Sequence, residues 1–430
     1  MGLQFLRFAL ILVFLCGEEV LGQAGSTYYS IDTVAGVYPL GDDGPASRAL
    51  LFGPKGVAVD RAGNVYVADE RNSRVRKVTP RGTITTLARV RAIDIAVDPE
   101  GTNVYVLSPE FQGDIVAPVV LRIDSLGLVS AFAGNGQLGF GGDGGDAKRA
   151  LIQASAIAYD SGTLYIADDE NHRIRRVVQD GTIHTIAGDG VGGFTGDGGP
   201  ATAARLRWPA GIAVRNGVVY VADTYNHRIR RIAANGTITT IAGTGVAGAT
   251  GNGGPATLAQ FAYPGNLGLD SAGNLYVSSQ VENRLRRITA AGMVQAFAGT
   301  GNAGFSGDGA GAAAATFNVT RGIAVDGNNA VYIADETNDR VRRVDAQGTI
   351  TTYAGMSHYA GDGGPARDAV MKYPSGLAVD ANGNVYISDS DNHRIRVVTP
   401  QGTIATYAGN GTAGRADGPR GSAGLSLPYG

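Results

Sequence analysis

The densest chemistry in the chain is the run DDENHRIRRV (168–177). It sets His172 among Asp168, Asp169, Glu170, Arg173, Arg175 and Arg176. Three functional roles suit that mixture: a histidine–carboxylate metal site, a basic stripe for nucleic acid, or an acid–base cluster. A fourth suits it equally, a charged turn that every unit of a repeat needs.

The run recurs, so these readings are testable in register. PAGIAVRNGVVYVADTYNHRIRRIAANGTITTIAG (209–243) and PSGLAVDANGNVYISDSDNHRIRVVTPQGTIATYAG (374–409) are copies of one sentence. Further copies start at Pro54, Ala92, Ala154, Pro264 and Thr320. That makes seven, most of them about 55 residues apart, a repeat period of the propeller type. His172 then aligns with His227 and His393, but with Ser73, Asn283 and Asp339 in other copies. A metal ligand would not be exchanged so freely. These three histidines lie on turns of separate blades and the chain has 5 histidines in all, so a three-histidine zinc site is not expected.

What persists is an acid five residues before an arginine, with an asparagine between. The sets are Asp168, Asn171 and Arg173; Asp223, Asn226 and Arg228; Asp389, Asn392 and Arg394. Asp69/Arg74 and Asp335/Arg340 repeat the spacing, and Ser279 breaks it before Arg284. Across a tight hairpin a carboxylate can accept turn amides or a guanidinium fork. Asparagine suits the turn itself. The expectation is a structural clamp.

Four short apolar runs carry each copy: GIAV (211–214), VVYVA (218–222), RIRRI (228–232) and TITTIA (237–242). Runs of this length, rich in Val, Ile, Thr and Tyr and separated by Gly/Asn turns, are strands. Four antiparallel strands per unit, repeated, describe a propeller blade. The signature NHRIR, preceded by the pattern GxAVDxxGNxYVAD, resembles NHL repeats over roughly residues 30–430. That resemblance implies an all-β fold, a β-propeller of four-stranded antiparallel blades. Many NHL propellers have six blades, whereas this chain carries seven repeats. Seven blades are expected, or eight if the chain is a fragment. Residues 28–36, YYSIDTVAG, resemble a blade's last strand and would compete with 402–409 for one outer position in a closed seven-blade ring.

Arg7, the apolar core FALILVFLC (8–16) and the small residues of VLGQAG (20–25) read as an export signal ending near Gly22. The expected domains are a signal peptide, 1–22, and the propeller, 28–430. Cys16, the single cysteine, falls inside the signal, so the mature chain has no disulfide. A lipid anchor on Cys16 is the less favoured alternative, because Leu15 is bulky for such a site. The formal net charge of −2 gives no field favouring nucleic acid.

Strand order puts the second-to-third turns and the inter-blade loops on one face, where function is expected. The loops carry GDGG, with Asp143, Asp197, Asp308 and Asp362 in register and Asn252 in the fifth. Calcium needs six or more oxygens, and each loop offers about one carboxylate. Asp197 and Asp362 are therefore weak cation candidates only. Phe140, Phe194, Phe305 and Tyr359, just before GDGG, are expected to plug the grooves between blades. The second copy departs most, with a shortened preceding loop and an insertion at 107–120. Glu110, Phe111 and Asp114 are the ligand-contact candidates there. First strands such as GVAVD and GLAVD carry no His or Glu cluster, which argues against an enzyme.

The expected function is an exported binding scaffold for a protein or an extracellular or envelope polymer, secreted, periplasmic or at the cell surface. No catalysis, cofactor, nucleic-acid partner or membrane span is expected, and the chain is read as a monomer. The alternative is an NHL-type propeller enzyme, a metal-dependent lyase or hydrolase with its site on the long-loop face.

Overall fold

The computed structural model describes residues 40–109, 117–279, 281–355, 361–366 and 369–428. Among them twenty-eight strands, β1 to β28 in chain order, form seven sheets of four. In each sheet the strands follow one another in sequence order. The first blade is β1 (Pro54–Val59), β2 (Val65–Asp69), β3 (Arg74–Val78) and β4 (Ile84–Ala88), antiparallel throughout. The all-β reading with seven blades holds. The leader and residues 28–36 lie outside the described residues.

The turns show why these short runs become strands. At the β1–β2 turn the Asp60 carboxylate accepts from the Asn64 amide, the Asn64 side chain and the Tyr66 hydroxyl. Gly63 supplies the positive φ, 81°. Asp270, Asp326 and Asp380 repeat the bond to a tyrosine hydroxyl in their own copies.

The chain divides into two compact units, one of residues 40–356 and one comprising 357–430 with the N-terminal segment. The larger holds six blades. Their first strands, including β1, β5 (Asp94–Val97), β9 (Ala156–Asp160), β13 (Pro209–Arg215) and β17 (Pro264–Leu269), neighbour one another in order. The last of them, β21 (Thr320–Val325), returns to β1. The six first strands therefore make a closed circuit within this unit.

Closure uses the joint seen between blades three and four and between blades four and five. Val57, Val65 and Val67 pack with Tyr332, Ala334 and Val341 in one buried cluster. Each buried Val or Ile of this kind contributes about 1.5–3 kcal/mol. The Gly355 amide donates to the Ala46 carbonyl, just as Gly188 donates to Ala201 and Gly243 to Ala256. Glycine is required at three of the six first strands, at Gly56, Gly211 and Gly322. A Cβ on Gly211 would fall 1.8 Å from the Gly265 carbonyl oxygen, and one on Gly322 2.6 Å from that of Lys55. Blade two replaces this glycine with Asp94, whose buried carboxylate accepts from the Ile157 amide at 2.8 Å.

The seventh sheet is β25 (Pro374–Val379), β26 (Val385–Asp389), β27 (Arg394–Val398) and β28 (Ile404–Ala408). Its buried cluster is Ala366, Ala369, Ile387, Val398 and Ile404. The segment after β28 folds back on it, with Gly409 donating to the Arg420 carbonyl and Asn410 to that of Ala423.

Candidate functional site

The second-to-third turns are built around a buried carboxylate. Asp223 Oδ1 accepts from the Arg207 amide at 2.7 Å, fixing the entry into the same blade. Asn226 Nδ2 donates to Asp223 at 2.8 Å and to the Gly193 carbonyl at 2.7 Å. Asp168 and Asn171, and Asp389 and Asn392, repeat this arrangement. The expected arginine partner is displaced by two residues. Arg173, Arg228 and Arg394 donate to the carbonyls of Asn171, Asn226 and Asn392. The carboxylates instead face Arg175, Arg230 and Arg396, at 3.4, 3.2 and 3.3 Å. Residues two apart share a strand face, and the set-back residue has the reach to end at the acid.

These second arginines are wholly buried and also claim the GDGG aspartate. Arg230 reaches Asp197 at 2.8 Å and Arg396 reaches Asp362 at 2.6 Å. The two weak cation candidates are thus ligands of a guanidinium, whose fork bridges two carboxylates. Burial still dominates at the inner acid: Asp223 is pushed up to about 6, against the pull of the Arg207 amide, Asn226 and Arg230. Blade five shows the logic by relocation. Ser279 stands where the aspartate belongs, and Glu282 supplies the carboxylate from the asparagine position, accepting from the Ala262 amide.

The phenylalanines do not plug grooves. Phe194 lies 39% exposed, 3.8 Å from the Arg228 guanidinium and 4.8 Å from that of Arg230. Phe140 and Phe305 cover their own arginine pairs in the same way. The cation–π pairing holds each ring over its own blade rather than between blades.

His172, His227 and His393 share a left-handed conformation with Ser73, Asn283 and Asp339, φ 46–55°. Five of the six do one job, accepting a backbone N–H from the entry to the next blade or the closing segment. Trp208 donates to His172 Nδ1 at 3.3 Å and Tyr263 to His227 Nδ1 at 3.3 Å. Val319 donates to Asn283, Gly53 to Asp339 and Leu427 to His393. Imidazole, amide and carboxylate interchange because each offers an acceptor. Burial pushes His172 and His227 below the usual histidine pKa, keeping the rings neutral. With Nδ1 accepting, the neutral ring carries its proton on Nε2.

The residues held by those acceptors are themselves left-handed: Trp208 at φ 52° and Tyr263 at φ 47°, with Gly53 at φ 59° in blade one. Glycine is the ordinary occupant of that region, and a bulky residue there is under strain. In blades four and five the position is aromatic and open to solvent. Tyr225, on the turn Thr224–Asn226, stands between the two. Trp208 and Tyr225 have centroids 5.7 Å apart at 46°, and Tyr225 and Tyr263 5.4 Å apart at 78°. All three are more than a third exposed. His172 and His227 flank the row, edge-on to Trp208 and Tyr263. Sequence reasoning missed this row. Its signal was an aromatic residue before proline in one register, at 208–209, 263–264 and 373–374.

The opposite face holds a vestibule of about 620 Å³ where the first-to-second turns of four blades converge. Asp60, Asp160 and Asp326 line it, with Arg61, Glu100 and Tyr159. The Asp60 and Asp326 carboxylates serve their own hairpins. No group of three His, Cys, Asp or Glu side chains suited to a metal ion occurs among the described residues. Glu110, Phe111 and Asp114 lie outside the described residues. Beside that blade's entry, Arg91 donates through Nε to Glu70 at 2.6 Å. No helix among the described residues is long and apolar enough to cross a membrane.

Four-stranded antiparallel blades, five of them tied by this carboxylate–arginine clamp, define a β-propeller. The chain belongs to the NHL-repeat β-propeller family. The family model for the NHL repeat matches residues 206–232 and 371–398, and that for the teneurin NHL domain matches 35–104 and 301–360. Teneurin-1 of Mus musculus is 27% identical over 398 residues, covering 83% of this chain and 13% of that protein. NHL repeat-containing protein 2 of Gallus gallus is 31% identical over 288 residues, covering 58% of this chain and 39% of that protein. The chain thus spans well under half the length of these relatives. A solved structure of a protein of unknown function from Bacteroides thetaiotaomicron superposes with a TM-score of 0.54 at 20% identity, over 73% of this chain and 74% of that one.

Proposed function

We propose that the protein is an exported binding scaffold whose docking surface is the turn face of blades three to five. The observation that carries this reading is the contiguous row Trp208, Tyr225 and Tyr263, exposed although the neighbouring clamp is buried. Contiguous exposed aromatics on a soluble surface mark interaction sites, and Trp, Tyr and Arg are the residue types that dominate binding hot spots. Arg207 stands beside the row, its guanidinium 6.0 Å from the Tyr225 ring. The likeness to an NHL-repeat protein and to teneurins agrees with an interaction module. A protein or an extracellular polymer is the partner, and the leader at 1–22 carries the chain out of the cytoplasm.

The test is a double change, Trp208→Gly with Tyr263→Gly. Both sites already have the backbone conformation glycine favours, so the fold should keep its melting temperature. Material crosslinked to the wild-type protein in its native compartment should include a defined partner that the double variant loses. Retention of that partner by a folded double variant would overturn the proposed surface. A stoichiometric transition metal in the purified protein would overturn the non-enzymatic reading.

A further inference from the structure

We propose that the aromatic row binds proline-rich segments in the polyproline II conformation; this rests on the docking surface proposed above and specifies its ligand. The first argument is geometric. The three rings are in contact and tilted to one another, 46° and then 78°, so they present a ridged aromatic surface rather than a flat platform. Proline-rich segments dock against exposed aromatic surfaces of this kind. The polyproline II helix advances roughly 6 Å over two residues. That step matches the 5.7 and 5.4 Å from one ring of the row to the next.

The second argument is hydrogen-bond complementarity. Among the described residues the Trp208 indole N–H and the hydroxyls of Tyr225 and Tyr263 make no hydrogen bond to the protein. The neutral rings of His172 and His227 carry their protons on Nε2, because Nδ1 accepts from the backbone. Arg207 adds guanidinium donors. No carboxylate or amide side chain belongs to the row, so it offers chiefly donors. A proline-rich backbone is the converse: it presents carbonyl acceptors in solvent and has no N–H at proline. A polysaccharide brings hydroxyl donors that would need acceptors here. A second protein's folded surface has most of its backbone carbonyls already paired within its own structure, leaving fewer acceptors for these donors.

The chain's only tryptophan is Trp208, so its fluorescence reports occupancy directly. The full chain should be titrated with decaproline, with a Gly/Ser peptide of equal length, and with cellohexaose. The expected result is a saturable change with decaproline and none with the other two. Tyr225→Ala should weaken the response by about tenfold or more, as loss of a hot-spot aromatic does. Tyr225→Phe keeps the ring and removes one donor, and should weaken it by about three- to tenfold. Unchanged melting temperatures keep both variants interpretable. No response to decaproline, or a response that Tyr225→Ala leaves intact, overturns the proposal. A response to cellohexaose in place of decaproline overturns the ligand class while leaving the docking surface standing. The docking surface itself falls only if the glycine double variant also keeps its crosslinked partner.

Discussion

Arg230 ties two carboxylates of its blade together. It is fully buried and meets Asp223 at 3.2 Å and Asp197 at 2.8 Å. Removing one partner of a buried pair leaves the other charge without compensation. Arg230→Ala should therefore destabilise the protein by about 3–5 kcal/mol in denaturant titration. Arg230→Lys should not rescue it, since an ammonium cannot fork between two acids. Asp94 makes the opposite kind of statement. It is buried, held by the amides of Ile157 and Ile95, and pushed up to about 7 by burial. A carboxyl raised in the folded state binds its proton more tightly there than in the unfolded chain. Its favourable contribution is complete below about pH 4 and is lost as pH rises through about 7. Stability should fall between those values, and Asp94→Asn should flatten that part of the curve in thermal melts recorded across pH. Of the clamp, the repeat register disclosed the aspartate and asparagine. It pointed to Arg228 rather than Arg230 because cross-strand pairing was taken as contact, whereas side-chain length decides which guanidinium ends at the acid.

At the scale of the element, the joint between blades separates two meanings of glycine. Gly211 is fixed by proximity: a Cβ there meets the Gly265 backbone at 1.8 Å. Gly211→Ala should cost on the order of 1–3 kcal/mol, read from denaturation midpoints, because neighbouring first strands must separate. Trp208 and Tyr263 occupy positions where conformation favours glycine and the side chain is free. Trp208→Gly alone should leave stability within about 1 kcal/mol of wild type or raise it. The row they form was not legible in alternation patterns. It lies just outside the strands, and its exposure depends on how one blade's entry crosses the preceding blade's turn. Strand order alone assigns these residues to the long-loop face.

At the scale of the molecule, seven blades could be counted from the sequence, but their grouping could not. The inner faces of all copies carry the same Val, Ile and Ala pattern. Which copy returns to the first is set by small twists between blades, which residue types do not record. The structure gives six blades a closed circuit within 40–356, joined by Gly53 to Asp339 and Ala46 to Gly355. A fragment of those residues should fold alone and unfold in one cooperative transition. Two separated transitions in calorimetry would show that the joint at β1 and β21 is weaker than the others. The same joint has a temporal side. Gly53 and Asp339 are 286 residues apart in the chain. A ribosome adding ~5–20 residues per second makes the first blade wait roughly 15–60 s for its partner. Through that interval Val57 and Val65 have no mate, so the nascent chain must be shielded from its siblings until the sixth blade emerges.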